Sequence, residues 1–214
     1  MILFKLGGSL LNSGFMKMWI KYITDHFKGR AIIVPGGGLF ANHIRSVQKN
    51  YNLDDDIAHD MALYSMSQMG LLISSIDRTS LHFCNTKHEI SGVIEDKKVP
   101  IIGTFDFLKK RIGSPNKNWS ITSDSIALLI AKELQVNTLL IVKSCSCFFI
   151  DSKIALNQIK VNELVSLGIL DASFSLNFQN SKTKVFLFFR NQLPNATDTV
   201  LASSKLTEGV NKIF

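Results

Sequence analysis

Lys5 stands two residues ahead of Gly7-Gly8-Ser9, at the end of the short apolar run Met1 to Leu6. A glycine turn between a strand and a helix lets backbone N–H groups approach phosphate oxygens, since no Cβ obstructs them. A lysine near the end of a buried strand needs an anionic partner; a bound phosphate supplies one, and a side chain that snorkels to solvent is the alternative. A second run, Pro35-Gly36-Gly37-Gly38, ends another apolar stretch, Ala31 to Val34. Two cradles facing each other in one sheet suit in-line phosphoryl transfer between two bound substrates, which needs positioning and charge neutralisation more than a strong base. Neither run matches the dinucleotide fingerprint or the P-loop pattern, so the pair carries more weight than either alone. Asp124 follows Thr122 and Ser123, either of which can cap a helix, and so falls in a first turn where the helix dipole favours an acid. Arg45 and His59 are candidate cations for a phosphorylated acceptor, the plain alternatives being a surface arginine and a hydrogen-bonded histidine.

The elements that must position these residues alternate. After Gly7-Gly8-Ser9, Phe15, Met18, Trp19, Tyr22 and Ile23 recur at helical spacing, and Ala41, Ile44 and Val47 do so after the second glycine run. Apolar residues on nearly every turn from Asp55 to about Ile76, among them Ile57, Met61, Tyr64, Met69, Leu71 and Leu72, predict a long and largely buried helix. Strands are expected at Leu81 to Cys84, Ile90 to Ile94, Val99 to Ile102, Thr138 to Val142, Val185 to Phe189 and near Val210 to Phe214, with a helix through Ile126, Leu129, Ile130 and Leu134. Strands alternating with helices imply an α/β protein with a mostly parallel sheet covered on both faces, and ligands beyond the carboxyl ends of the strands. No repeat or linker divides the 214 residues, which read as a single domain.

Composition excludes several classes. The apolar runs are too short to cross a bilayer of ~30 Å, and the N-terminus has no signal-peptide pattern, so cytoplasm is the expected compartment and no membrane partner is expected. Cys84, Cys145 and Cys147 form an odd set without paired spacing, which argues against a disulfide framework and a structural zinc site; buried thiols are expected and no metal ligands. The net charge of +7 is scattered rather than clustered, pointing to small phosphate-bearing ligands and not to nucleic acid.

Lys5-Leu6-Gly7-Gly8-Ser9, Pro35-Gly36-Gly37-Gly38 and Thr122-Ser123-Asp124-Ser125-Ile126-Ala127, in that order, resemble the amino-acid-kinase family over most of the chain through Lys143. Arg45, His59-Asp60-Met61-Ala62-Leu63, Ser67-Gln68-Met69-Gly70 and Trp119-Ser120-Ile121 are most similar to one branch, the (aminomethyl)furan-methyl phosphate kinases of methanofuran biosynthesis and their methylotroph relatives. The resemblance implies a three-layer αβα sandwich, ATP bound with Mg²⁺, no covalent enzyme intermediate, a small phosphorylated acceptor and a homo-oligomer. It implies catalytic roles for Lys5, bridging the transferring phosphoryl group, and for Asp124, orienting the lysines. Gly7, Gly8, Ser9, Lys143 and Ser146 then lie on the nucleotide side, and Gly36, Gly37, Gly38, Arg45 and His59 on the acceptor side. Two departures stand out: Ser146-Cys147 replaces the branch's Asp-Gly turn, and Gly209 is followed by Val210 instead of threonine. A uridylate or isopentenyl phosphate kinase, and a non-catalytic nucleotide-binding or storage protein, stay open as alternatives.

Overall fold

The computed structural model describes residues 1–109, 117–144, 161–191, 193 and 211–213. In chain order the elements are β1 (Ile2–Leu6), a 3-10 turn (Gly8–Ser13), α1 (Phe15–His26), β2 (Ala31–Pro35), α2 (Gly38–Tyr51), α3 (Asp55–Ser74), β3 (Leu81–Cys84), α4 (Lys87–Glu95), β4 (Val99–Ile102), α5 (Thr104–Lys109), α6 (Ser123–Glu133), β5 (Thr138–Lys143), α7 (Val161–Ser166), α8 (Phe174–Gln179), β6 (Lys184–Phe189) and β7 (Asn211–Ile213). One seven-stranded sheet runs β3-β4-β2-β1-β5-β6-β7, parallel except for β7, which pairs antiparallel with β6.

Side chains of each central strand alternate between two cores, as the pleat requires. Leu3, Ile32, Leu139 and Ile141 face a core completed by Ile126, Ala127 and Ile130 of α6 and by Phe174 of α8. Phe4, Leu6, Ile33, Leu140 and Val142 face the opposite core, closed by Trp19 and Ile23 of α1 and Met69 and Ile73 of α3. A sheet buried on both faces under helices is the expected three-layer αβα sandwich. Strand order reverses on either side of β1, so the carboxyl ends of β1, β2 and β5 surround a crevice.

Three expectations change. The run Ile90 to Ile94 is helix α4 and not a strand. Thr86 accepts a hydrogen bond from the backbone N–H of Glu89, while the Glu89 carboxylate accepts one from the N–H of Asn85, so a reciprocal cap starts a helix there. Helix α3 is less buried than its composition implies: Ile57, Tyr64 and Leu71 are about half exposed, because only one side of a helix can meet the sheet. Gly7-Gly8-Ser9 leads into the 3-10 turn, and α1 starts only after Gly14, so the first glycine run does not itself open an α-helix.

Candidate active site

Lys5 and Leu3 share one side of β1, and α6 covers that side. Lys5 is 3% exposed, and its Nζ lies 2.8 Å from Oδ1 of Asp124, in the first turn of α6. Lys143 ends β5, two residues past the Ile141 that pairs with Lys5, and its Nζ donates to Oδ2 of the same carboxylate at 2.5 Å. One buried aspartate thus bridges two ammonium groups from neighbouring parallel strands.

Burial alone would raise the Asp124 carboxyl, but the Lys5 and Lys143 charges outweigh it and hold its pKa below the ordinary 3.8. Lys5 goes the other way: burial pulls its ammonium below the ordinary 10.5, and Asp124 opposes that only in part. Removing Asp124 would leave a buried lysine unpaired, an arrangement far costlier than the pair itself.

The two glycine runs touch. A Cβ on Gly8 would lie 2.3 Å from the backbone N and Cα of Gly38, so only glycine allows these loops to approach so closely. Gly38 opens α2 at φ +56°, left-handed backbone that also favours glycine. The strand pattern carries the loops to this meeting, with Gly36 N–H donating to Leu6 O and Gly7 N–H to Val142 O.

Beyond the loops lies a cleft of about 670 Å³, lined by both glycine runs together with Lys5, Ser9, Lys143, Arg45 and His59. Every candidate residue named from the sequence lines it or, like Asp124, abuts it from behind, except Ser146, which with Cys145 and Cys147 falls outside the described residues. Arg45 lies 4.0 Å over the Trp119 ring, a cation–π contact, and the indole N–H donates to Gln48 Oε1. His59 is 6% exposed, with Nδ1 3.3 Å from Asn118 O, and burial lowers its pKa below 6.5. Cys84 is a buried thiol whose pKa burial pushes up to about 12.

Sequence reasoning gave no site role to Trp119, Ser144 or Asp171. Trp119 could have been found as an aromatic directly before the helix-capping segment. Ser144, whose hydroxyl accepts from Ser9 Oγ at 2.6 Å, follows a strand-ending lysine. Asp171 had no local signal: its carboxylate reaches Ser125 across 46 residues of chain.

A sheet with paired glycine loops, a bridged lysine pair and a cleft at its switch point defines a phosphotransferase-type α/β protein, and sequence comparison gives the family. The chain belongs to the amino acid kinase family, whose model matches residues 1–168, and it is a kinase of that fold. It is 28% identical over 188 residues to the (5-(aminomethyl)furan-3-yl)methyl phosphate kinase of Methanocaldococcus jannaschii, covering 86% of this chain and 85% of the relative. Among solved structures it is similar to UMP kinase from Ureaplasma parvum, with TM-score 0.66, 18% identity and coverage of 99% of this chain and 97% of that one. Uridylate kinase from Archaeoglobus fulgidus superposes with TM-score 0.60 at 14% identity, covering 88% of this chain and 90% of that one.

Proposed function

We propose that the chain transfers the γ-phosphoryl group of ATP to a phosphate monoester, (5-(aminomethyl)furan-3-yl)methyl phosphate, giving a diphosphate in the assembly of a furan-containing one-carbon carrier. The observation that carries the phosphoryl-transfer step is Asp124 bridging Lys5 and Lys143 at the point where the two glycine loops meet. Two ammoniums held in place by a buried carboxylate need no reorganisation when negative charge accumulates between donor and acceptor oxygens. Lys5 then bridges the transferring group, Gly7, Gly8 and Ser9 hold nucleotide phosphate oxygens, and Lys143 neutralises charge on the nucleotide side.

The acceptor's own phosphate fits at Gly36-Gly37-Gly38, where the start of α2 offers backbone N–H groups and a positive dipole end, and Arg45 and His59 also line the cleft. No group of three or more His, Cys, Asp or Glu side chains suited to a metal occurs among the described residues. Mg²⁺ would arrive with the nucleotide and supply further charge neutralisation on its phosphates. The choice of a furan phosphate rests on the relative in Methanocaldococcus jannaschii. No helix among the described residues is long and apolar enough to cross a membrane.

A coupled ADP-release assay tests this reading, with Mg-ATP and a panel of the furan phosphate, UMP and isopentenyl phosphate. Turnover with the furan phosphate well above the others is the expected outcome. Preference for UMP or isopentenyl phosphate would replace the acceptor, and ADP release with none of the three would remove the assignment.

A further inference from the structure

Asp171 lies just past Leu167, Gly168 and Ile169, which line the cleft. Its Oδ2 accepts from the backbone N–H and the hydroxyl of Thr122, at 3.0 and 2.9 Å, and from the N–H of Ser125 at 2.9 Å; its Oδ1 accepts from the Ser125 hydroxyl at 2.5 Å. These four bonds grip the two residues that flank Ser123 and Asp124. A second tie lies alongside, where Ser173 N–H donates to Ser120 O at 3.0 Å and the two serine hydroxyls are 3.0 Å apart.

The first N–H groups of a helix lack partners within it, and a threonine at the N-cap commonly accepts from one of them. Thr122 occupies that position in extended backbone, yet its side chain caps nothing and donates to Asp171 instead. A distant carboxylate thus replaces a local hydroxyl suited to the same task. The substitution is costly in itself, since burial disfavours the charged form of Asp171 and the nearby negative charge of Asp124 adds to that, against the hydrogen bonds from Ser125 and Thr122. Helix capping alone does not account for it. What the carboxylate adds is a rigid four-point hold on the turn that aims Asp124.

We infer that Asp171 is a positioning residue for phosphoryl transfer: by clamping Thr122 and Ser125 it keeps the Asp124 carboxylate on Lys5 and Lys143. The inference rests on the kinase reading above. Small displacements of preorganised groups are expensive in rate, so a near-isosteric change at Asp171 should act on turnover more than on substrate affinity.

Asp171→Asn in the full chain keeps the side chain's shape but presents an amide N–H₂ to donors that need an acceptor. Its kcat should fall about 10-fold while KM for ATP and for the acceptor move less than about 2-fold. In an Asp124→Asn background the same change should lower kcat no further, because it acts through Asp124. A readout independent of turnover is pulse labelling with an amine-reactive reagent followed by peptide mass spectrometry. Lys143, released from Asp124, should label about 3-fold faster in Asp171→Asn than in the parent, with Lys117 as the internal reference. A variant that melts earlier but keeps parental kcat and Lys143 labelling would reduce Asp171 to a helix cap and overturn the inference. If Asp171→Asn does not fold, Ser125→Ala removes one donor from the clamp and should shift kcat and labelling in the same directions; unchanged values there also overturn it. Should the parent release no ADP with any acceptor, the kinase reading fails by itself, and the labelling comparison still decides the clamp.

Discussion

The glycine run after β1 and the one after β2 leave their strands side by side, since Leu6 pairs with Pro35, and as sequence they look alike. Past the strands they diverge. Gly37 and Gly38 open directly into the fourteen residues of α2, so the second run carries a helix N-terminus and its positive dipole end. Gly7-Gly8-Ser9 enters a 3-10 turn instead, with Lys5 and Lys143 beside it. One side of the cleft therefore presents the backbone dipoles of a helix start, the other whole charges tied to a buried carboxylate. Whole charges in a dry site interact more strongly and fail more completely when one partner is lost. The difference teaches that a similar glycine device can serve two electrostatic arrangements, which under the proposed function would suit the transferring group on one side and the acceptor's phosphate on the other.

The charged side should break hardest. Lys5→Ala and Asp124→Asn are each expected to lower kcat by at least ~10²-fold, the scale for removal of one preorganised electrostatic group. Steady-state kinetics on variants shown by circular dichroism to be folded check this; near-parental turnover in both would undo the contrast.

Where the loops touch, the expected effect is smaller. Gly8→Ala forces a Cβ against the Gly38 backbone and should cost about 1 to 3 kcal/mol of stability, read by denaturant unfolding. Gly37→Ala meets instead the Ala41 methyl, 2.5 Å from the new Cβ, so pairing it with Ala41→Gly should restore much of the loss. No single partner change should rescue Gly8→Ala, because its obstacle is main chain. Equal rescue of both would show that the loops are not in backbone contact.

On the dipole side, Arg45→Ala should raise KM for the acceptor about 10-fold and leave KM for ATP nearly unchanged, the loss of one charge-assisted contact. A matching rise for both substrates would mean that Arg45 only props Trp119.

The smallest expected signal is acid stability. The folded pKa of Asp124 lies below 3.8, so its stabilising contribution is fully present above that pH and is lost as pH falls from 3.8 through the lowered value. Asp124→Asn should therefore lose less stability than the parent across that acid window, measured by chemical denaturation at stepped pH. Parallel curves would show that the carboxylate is not held ionised by the two lysines.

Much of this architecture was legible because its causes are local. Short apolar runs ended by glycine fixed β1 and β2, and their unbroken apolar character suits strands buried on both faces. Lys5 stood out because a buried ammonium requires a partner, whereas Asp124 was marked out by the family resemblance, since the helix dipole favours an acid in a first turn whatever its role. The strand expected at Ile90 to Ile94 failed although its own signal was local too: the Thr86 and Glu89 cap sits just before the run and outweighs β-branched composition.

What the sequence by itself determined, then, is the alternating α/β order, the two glycine turns and the residue types of the site, since each depends on backbone conformation or neighbours within a few positions. Only the tertiary structure decided that Asp124 reaches Lys5 and Lys143 together, that Gly8 rests on Gly38, that Arg45 stacks on Trp119 and that Asp171 caps a helix far from it in sequence. Those contacts join residues separated by long stretches of chain. Their geometry follows from which strands lie adjacent and which face α6 covers, and no local preference encodes it.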